Sequence, residues 1–177
     1  AAYAAIANNG VLMKPYVVKQ ILNAHTETIA ETRPQRIRQV ISRATADSLK
    51  KFLTGVVERG TGSVARLEGV KVAGKTGTSK KHGDQGYIPG SYTASFVGFF
   101  PLEDPRVVCL VMIDNPRLGG YYGGQASAPI FKGIAQKVVA TSERFTRKTQ
   151  AVFAGKDLLA VPDVCALTVT AAQSTLQ

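Results

Sequence analysis

The feature that most limits the fold of this chain is an order: helix, strand, strand, strand, helix. Ser42 opens a helical stretch in which Leu49, Phe52, Leu53, Val56 and Val57 recur at the spacing of one buried stripe, and Gly60-Thr61-Gly62 closes it. Val70-Lys71-Val72-Ala73 then alternates and runs directly into Gly74-Lys75-Thr76-Gly77-Thr78-Ser79. Tyr92 to Phe100 and Arg106 to Asp114 read as two further strands, joined by a turn rich in Pro and Asp at Pro101-Leu102-Glu103-Asp104-Pro105. A second helix is predicted from about Ser127, with Pro129 in its first turn and Ile130, Phe131, Ile134 and Val138 on its buried face. Strands in succession between covering helices predict an α+β fold, an antiparallel β-sheet flanked by helices.

The rest of the chain is arranged around that block. Ala1 to Ala7 predicts a helix with Tyr3 and Ile6 one turn apart, stopped by Asn8-Asn9-Gly10. Val11 to Leu22 suits an extended segment, His25 to Arg38 a polar, irregular surface excursion, and Lys80 to Gly90 a loop rich in Gly and charge. Gly119-Gly120-Tyr121-Tyr122-Gly123-Gly124 forms a glycine-rich crossing before the last helix. From 141 to 157 the chain turns polar and basic, as a linker does. A new apolar pattern starts at Leu158 and is cut off at Gln177.

Composition narrows the function classes. Hydrophobic residues make up 45% and charged residues 19% of the 177, a globular balance rather than a disordered one. Lys and Arg number 22 against 12 Asp and Glu, and a net charge of +10 attracts anionic surfaces. The basic residues are scattered as pairs, with no zinc spacing and no basic helix followed by heptads, so nucleic acid is disfavoured and an anionic cell envelope accounts for the charge as well. Cys109 and Cys165 are too few and too far apart for a disulfide framework or a metal site, and both read as small core residues. The run Val107 to Ile113 is far shorter than the about 20 apolar residues of a membrane span. The opening lacks the pattern of a signal peptide and reads as the middle of a helix, which places any anchor upstream.

Lys75-Thr76-Gly77 is where chemistry enters. A lysine, two small hydroxyl residues at Thr76 and Thr78, and a glycine delivered by a strand to a surface can hold an anion, although Thr is also simply favoured in strands. The motif occurs in penicillin-binding proteins and β-lactamases, and the resemblance extends from about Ala1 to Val139. Tyr3-Ala4-Ala5-Ile6-Ala7-Asn8-Asn9-Gly10, Ala94-Ser95-Phe96-Val97-Gly98-Phe99-Phe100-Pro101, Tyr121-Tyr122-Gly123-Gly124 and Ser127-Ala128-Pro129-Ile130-Phe131 resemble the class B, division-type branch of the penicillin-binding protein transpeptidases. Val161-Pro162-Asp163-Val164 and the residues after it resemble the opening of a PASTA module. The resemblance implies three parts: residues 1–140 as the C-terminal part of the transpeptidase domain, 141–157 as linker and 158–177 as a truncated PASTA-like start.

What this resemblance implies for the site follows residue by residue. Lys75, Thr76, Gly77 and Thr78 would form the wall that binds the substrate carboxylate, and the backbone N–H of Thr78 would help hold the oxyanion. Tyr92, Tyr121 and Tyr122 match positions lining the pocket, though aromatic residues near glycines are also routine packing. The family's Ser-x-x-Lys nucleophile and Ser-x-Asn motif lie upstream of its Lys-Thr-Gly. Ser48-Leu49-Lys50-Lys51 has the spelling of the first but sits in the helix shortly before Lys75, so no catalytic residue is assigned in this chain. No metal or cofactor is implied, and His25 and His82 lack ligand spacing. The implied partners are peptidoglycan stem peptides, β-lactam antibiotics, the N-terminal remainder of the same domain and cell-division proteins, with no nucleic acid, on the extracytoplasmic face of the cytoplasmic membrane. A D,D-carboxypeptidase or β-lactamase-type hydrolase, and a non-catalytic wall- or β-lactam-binding module, are the alternatives.

Overall fold

The structure is a computed structural model and describes residues 1–117 and 120–142; residues 1–138 form one compact unit. Its elements in order are α1 (Ala2–Ala7), β1 (Val11–Met13), β2 (Gln20–Leu22), β3 (Thr28–Glu31), β4 (Arg36–Gln39), α2 (Arg43–Arg59), β5 (Ala73–Gly83), β6 (Gly86–Phe100), β7 (Val107–Asp114), α3 (Gly123–Ala126) and α4 (Ala128–Thr141). The α+β class and the antiparallel sheet stand as predicted. β5, β6 and β7 make one three-stranded antiparallel sheet, and two small two-stranded sheets, β1 with β4 and β2 with β3, precede it. The PASTA-like segment, Cys165, Gly119 and all of the linker beyond Ser142 lie outside the described residues.

Local chemistry sets the helix ends. Ser42 Oγ accepts the Thr45 N–H at 3.1 Å, an N-cap worth about 1 kcal/mol. Asn9 and Gly10 take positive φ values of 56° and 86°, the left-handed stop that the sequence promised after α1. A Cβ on Gly10 would run into the Ile41 carbonyl, so glycine is required there twice over.

The sheet carries the core because alternate residues of β6 point to opposite faces. Phe99 joins Ala73, Ala7 of α1 and Leu53 of α2 in one cluster, with Tyr3, Ile6 and Leu102 packed against it. Burial there pushes the Tyr3 phenol above its ordinary pKa. On the other face Phe96 and Phe100, both fully buried, meet the ring of Phe131 from α4 at centroid distances of 4.7 and 5.9 Å. Gly98 between them leaves room for that ring, since a Cβ there would come within 2.9 Å of it.

Four expectations need correction. Lys80 to Gly90 is no loop: β5 and β6 continue through it as a hairpin whose turn is only Asp84-Gln85. The excursion from His25 to Arg38 is exposed as expected but not irregular, because β3 and β4 lie within it. In α2 the inward residues are Ala46, Leu53 and Val57, while Phe52 is 72% exposed. In α4 they are Ala128, Phe131 and Ala135, while Ile130 and Ile134 face out. In both helices adjacent apolar residues, Phe52 with Leu53 and Ile130 with Phe131, compete for one inward position, and only one of each pair takes it. Cys109 is half-buried, and its burial raises the thiol pKa.

Candidate active-site wall

Lys75, Thr76, Gly77 and Thr78 are successive residues of β5, whose outer edge pairs with no strand among the described residues. An edge strand presents unpaired backbone groups alongside its side chains. Thr76 and Thr78, two positions apart, share a face of the sheet with Phe96, Ala94 and Tyr92, their neighbours on β6. Lys75 is exposed and curls back along the edge, donating from Nζ to the Thr76 carbonyl at 2.9 Å and to Thr76 Oγ1 at 3.3 Å. The cation therefore sits beside the Thr76 hydroxyl rather than on the opposite face.

Both hydroxyls are held. Thr78 Oγ1 accepts the backbone N–H of Gly123 at 3.0 Å, which leaves its own proton free to donate. Thr76 Oγ1 lies 2.8 Å from Thr61 Oγ1. Gly77 has its own packing reason to be glycine, because a Cβ would strike Ser95 Oγ across the sheet. Gly123 and Gly124 are equally constrained: a Cβ on the first would strike the Ser95 and Gly77 carbonyls, and one on the second the Thr61 carbonyl. The first turn of α3 thus lies backbone against backbone on the sheet.

That contact brings in the tyrosines. Tyr121 and Tyr122 immediately precede α3. The ring of Tyr121 stacks on Tyr92 at 4.2 Å with an interplanar angle of 15°, and its hydroxyl donates to Tyr122 at 3.1 Å. The hydrogen bond to Tyr122, and then its charge, raise the Tyr121 pKa. The Asn115 N–H donates to the Tyr92 carbonyl at 2.8 Å and fixes the far end of the stack. All seven residues singled out by the sequence thus belong to one connected stretch of surface. Three others were missed: Thr61, read only as part of a helix stop, and Ser95 and Gly123, read only as part of similar segments.

Other candidates fall away from this wall. Ser48 Oγ donates to the Ala44 carbonyl at 3.0 Å within α2, and Lys50 Nζ to Asn9 Oδ1 at 2.7 Å, so that stretch is occupied with helix structure. His82 lies edge-on to Tyr87 at 5.5 Å. Among the described residues no cluster of His, Cys, Asp and Glu could hold a metal ion, and no helix is long and apolar enough to cross a membrane.

A sheet with helices on both faces, an edge strand bearing a lysine and paired hydroxyls, and an aromatic flank together make a surface whose donors suit an anion. Residues 1–136 match the model of the penicillin binding protein transpeptidase domain, and the chain belongs to that family. It is 39% identical over 135 residues to stage V sporulation protein D of Bacillus subtilis, which covers 76% of this chain and 21% of that protein. It is 38% identical over 135 residues to a probable peptidoglycan D,D-transpeptidase of Pseudomonas aeruginosa, covering 75% and 22%. Among solved structures it is similar to penicillin-binding protein 3 of Mycobacterium tuberculosis complexed with ampicillin, with a TM-score of 0.68 and 33% identity over 78% of this chain and 32% of that one. The chain spans about a fifth of the length of those curated relatives.

Proposed function

We propose that this chain is the C-terminal part of the transpeptidase domain of a class B, division-type penicillin-binding protein. The whole protein would be a peptidoglycan D,D-transpeptidase that cross-links stem peptides through an acyl-serine intermediate and is acylated by β-lactams. The observation that carries this reading is the Lys75-Thr76-Gly77-Thr78 edge, with its cation and both hydroxyls held in place, in a chain of this family. The names of the relatives and the ampicillin complex of one of them support the same substrates.

The chemistry divides between this chain and the part of the domain that precedes it. A stem peptide ending in D-Ala-D-Ala brings a carboxylate that needs cationic and hydroxyl donors, which Lys75, Thr76 and Thr78 supply. Its scissile carbonyl becomes an oxyanion on attack, and the backbone N–H of Thr78 serves as one donor to it; such a donor is worth about 2.7–4 kcal/mol. Tyr92, Tyr121 and Tyr122 form the apolar side of the pocket. The attacking serine and the lysine that activates it come from upstream, since the Lys75 wall supplies donors and charge rather than an activated nucleophile. The protein works at the extracytoplasmic face of the cytoplasmic membrane, with cell-division proteins as partners, and 158–177 begins a PASTA-like module.

The test is Lys75→Ala in the intact protein. The second-order rate of acylation by a penicillin should fall at least about tenfold, because hydrogen bonds to charged groups contribute roughly 1.5–3 kcal/mol. The melting temperature should hold, since Lys75 is exposed. An unchanged rate in a folded variant removes Lys75 from the site.

A further inference from the structure

We infer that Thr61 is a positioning residue for the carboxylate-binding hydroxyl of Thr76, an inference that rests on the transpeptidase reading above. Thr61 lies outside the motif, 15 residues before its partner, in the short passage between α2 and the 3₁₀ turn Ser63–Ala65. Its place is fixed from both sides. The Gly60 and Gly62 N–H groups both donate to the Val56 carbonyl at 3.1 Å. A Cβ on Gly60 would come within 2.9 Å of that oxygen, and one on Gly62 within 3.0 Å of the Phe96 ring. The passage thus packs closely against the end of α2 and the buried aromatic core, which sets Thr61 beside β5. Gly124 closes the third side against the Thr61 carbonyl.

Proton counting shows what the contact does. A hydroxyl has one proton and two acceptor sites, an ammonium has only protons, and an ionised carboxylate has only acceptor sites. Thr76 Oγ1 already faces Lys75 Nζ at 3.3 Å, so one acceptor site is taken by the cation. When a carboxylate arrives, Thr76 must give its single proton to it. The 2.8 Å contact with Thr61 then survives only if Thr61 is the donor. With both acceptor sites filled, Thr76 has one remaining direction in which to point its proton, and donation to its oxygen strengthens the bond it makes outward. Thr61 thereby orients and polarises Thr76 without itself touching the anion. The same turn of α3 that packs on Thr61 holds Thr78 through Gly123, so both hydroxyls are aimed from one support.

The experiment is done on the intact protein with Thr61→Val, which removes the hydroxyl and keeps the shape, and Thr61→Ser, which keeps the hydroxyl. Acylation is followed with benzylpenicillin and with its methyl ester, which lacks the anionic carboxylate. Thr61→Val should lower the second-order rate with benzylpenicillin about tenfold, the factor carried by one hydrogen bond. The ester rate should change by less than about twofold, and Thr61→Ser should return the penicillin rate to within about threefold of wild type. An unchanged penicillin rate in Thr61→Val, or an equal loss for acid and ester, overturns the positioning role and leaves the transpeptidase reading standing. A wild-type protein that penicillin does not acylate overturns both.

Discussion

Around Lys75, the hydroxyls of Thr61, Thr76 and Thr78 all find partners within this chain, whereas two strands away Val108, Leu110 and Met112 point together into solvent, 42%, 59% and 63% exposed. Both regions belong to the same sheet, and the three β7 residues share a face with Phe99, which α1 and α2 do cover. The outer edge of β7 also pairs with no strand among the described residues. The difference is one of range. The polar wall needs only the end of α2, one strand and one turn of α3. An apolar face needs another layer, at about 1.5–3 kcal/mol for each large side chain it buries. The polar wall is thus supported entirely within this chain, while the β7 face has no cover among the described residues.

The sharpest way to test that contrast is covalent chemistry, where the expected effect is all or none. This chain alone should form no adduct with a penicillin, because its wall holds charge but no activated nucleophile. Combined with the N-terminal part of the same transpeptidase domain, it should regain one, the association being driven by burial of the face around Leu110 and of Ile130 and Ile134 on α4. Intact-protein mass spectrometry reads both outcomes. A drug-sized mass gain on the isolated chain, mapped to Ser48 or any other serine in it, would mean that the wall is not merely a wall.

A smaller effect separates the two regions by stability. Phe131→Ala should cost about 3–5 kcal/mol in the isolated chain and in the intact domain alike, since its pocket against Phe96 and Phe100 is made here. Leu110→Ala should lie within about 0.5 kcal/mol of neutral in the isolated chain, as surface substitutions do, and should cost about 2–5 kcal/mol in the intact domain. Urea unfolding of the four proteins decides it. A Leu110→Ala equally mild in both settings would show that nothing covers β7 and that the comparison is false.

The same division of range explains what could be read in the sequence. The order of the main helices and strands, the Ser42 cap and the Asn9-Gly10 stop depend on neighbours close in the chain, and each was legible. Lys75 to Thr78, by contrast, stood out by resemblance, and the partners of their hydroxyls, Thr61 and Gly123, lie 15 and 45 residues away. The hairpin between Lys80 and Gly90 was not, because strands exposed on both faces need no apolar alternation to announce them. Periodicity also could not choose between Phe52 and Leu53, or between Ile134 and Ala135, since a stripe of adjacent apolar residues fits either rotation of the helix. Thr61 was invisible as a site residue for another reason. Its role is a contact with Thr76 that only the packing of α2 against β5 creates.

The smallest expected effect probes whether the aromatic flank is as self-contained as the hydroxyl wall. Tyr121 donates its proton to Tyr122, and a phenol that donates a hydrogen bond gives up that proton less readily, so its pKa stands above the ordinary value of about 10. The folded chain therefore holds this proton more tightly than the unfolded chain does. The contribution of the bond to stability is therefore fully present below the unfolded tyrosine pKa. The unfolded chain releases its proton first as pH rises through the tyrosine range, so that contribution is lost there, while stability does not depend on this group's titration near neutral pH. Tyr122→Phe removes both the acceptor and the neighbouring charge. It should bring the Tyr121 titration back toward about 10 and flatten that alkaline loss, as read by tyrosinate absorbance and by unfolding at a series of alkaline pH values. Because Tyr92, Tyr121 and Tyr122 touch one another within this chain, the change should be the same in the isolated chain and in the intact domain. A shift that appears only in the intact domain would place the aromatic flank with Leu110, among the surfaces that depend on a covering layer, and would confine the self-contained part of the wall to Lys75 and its three threonines.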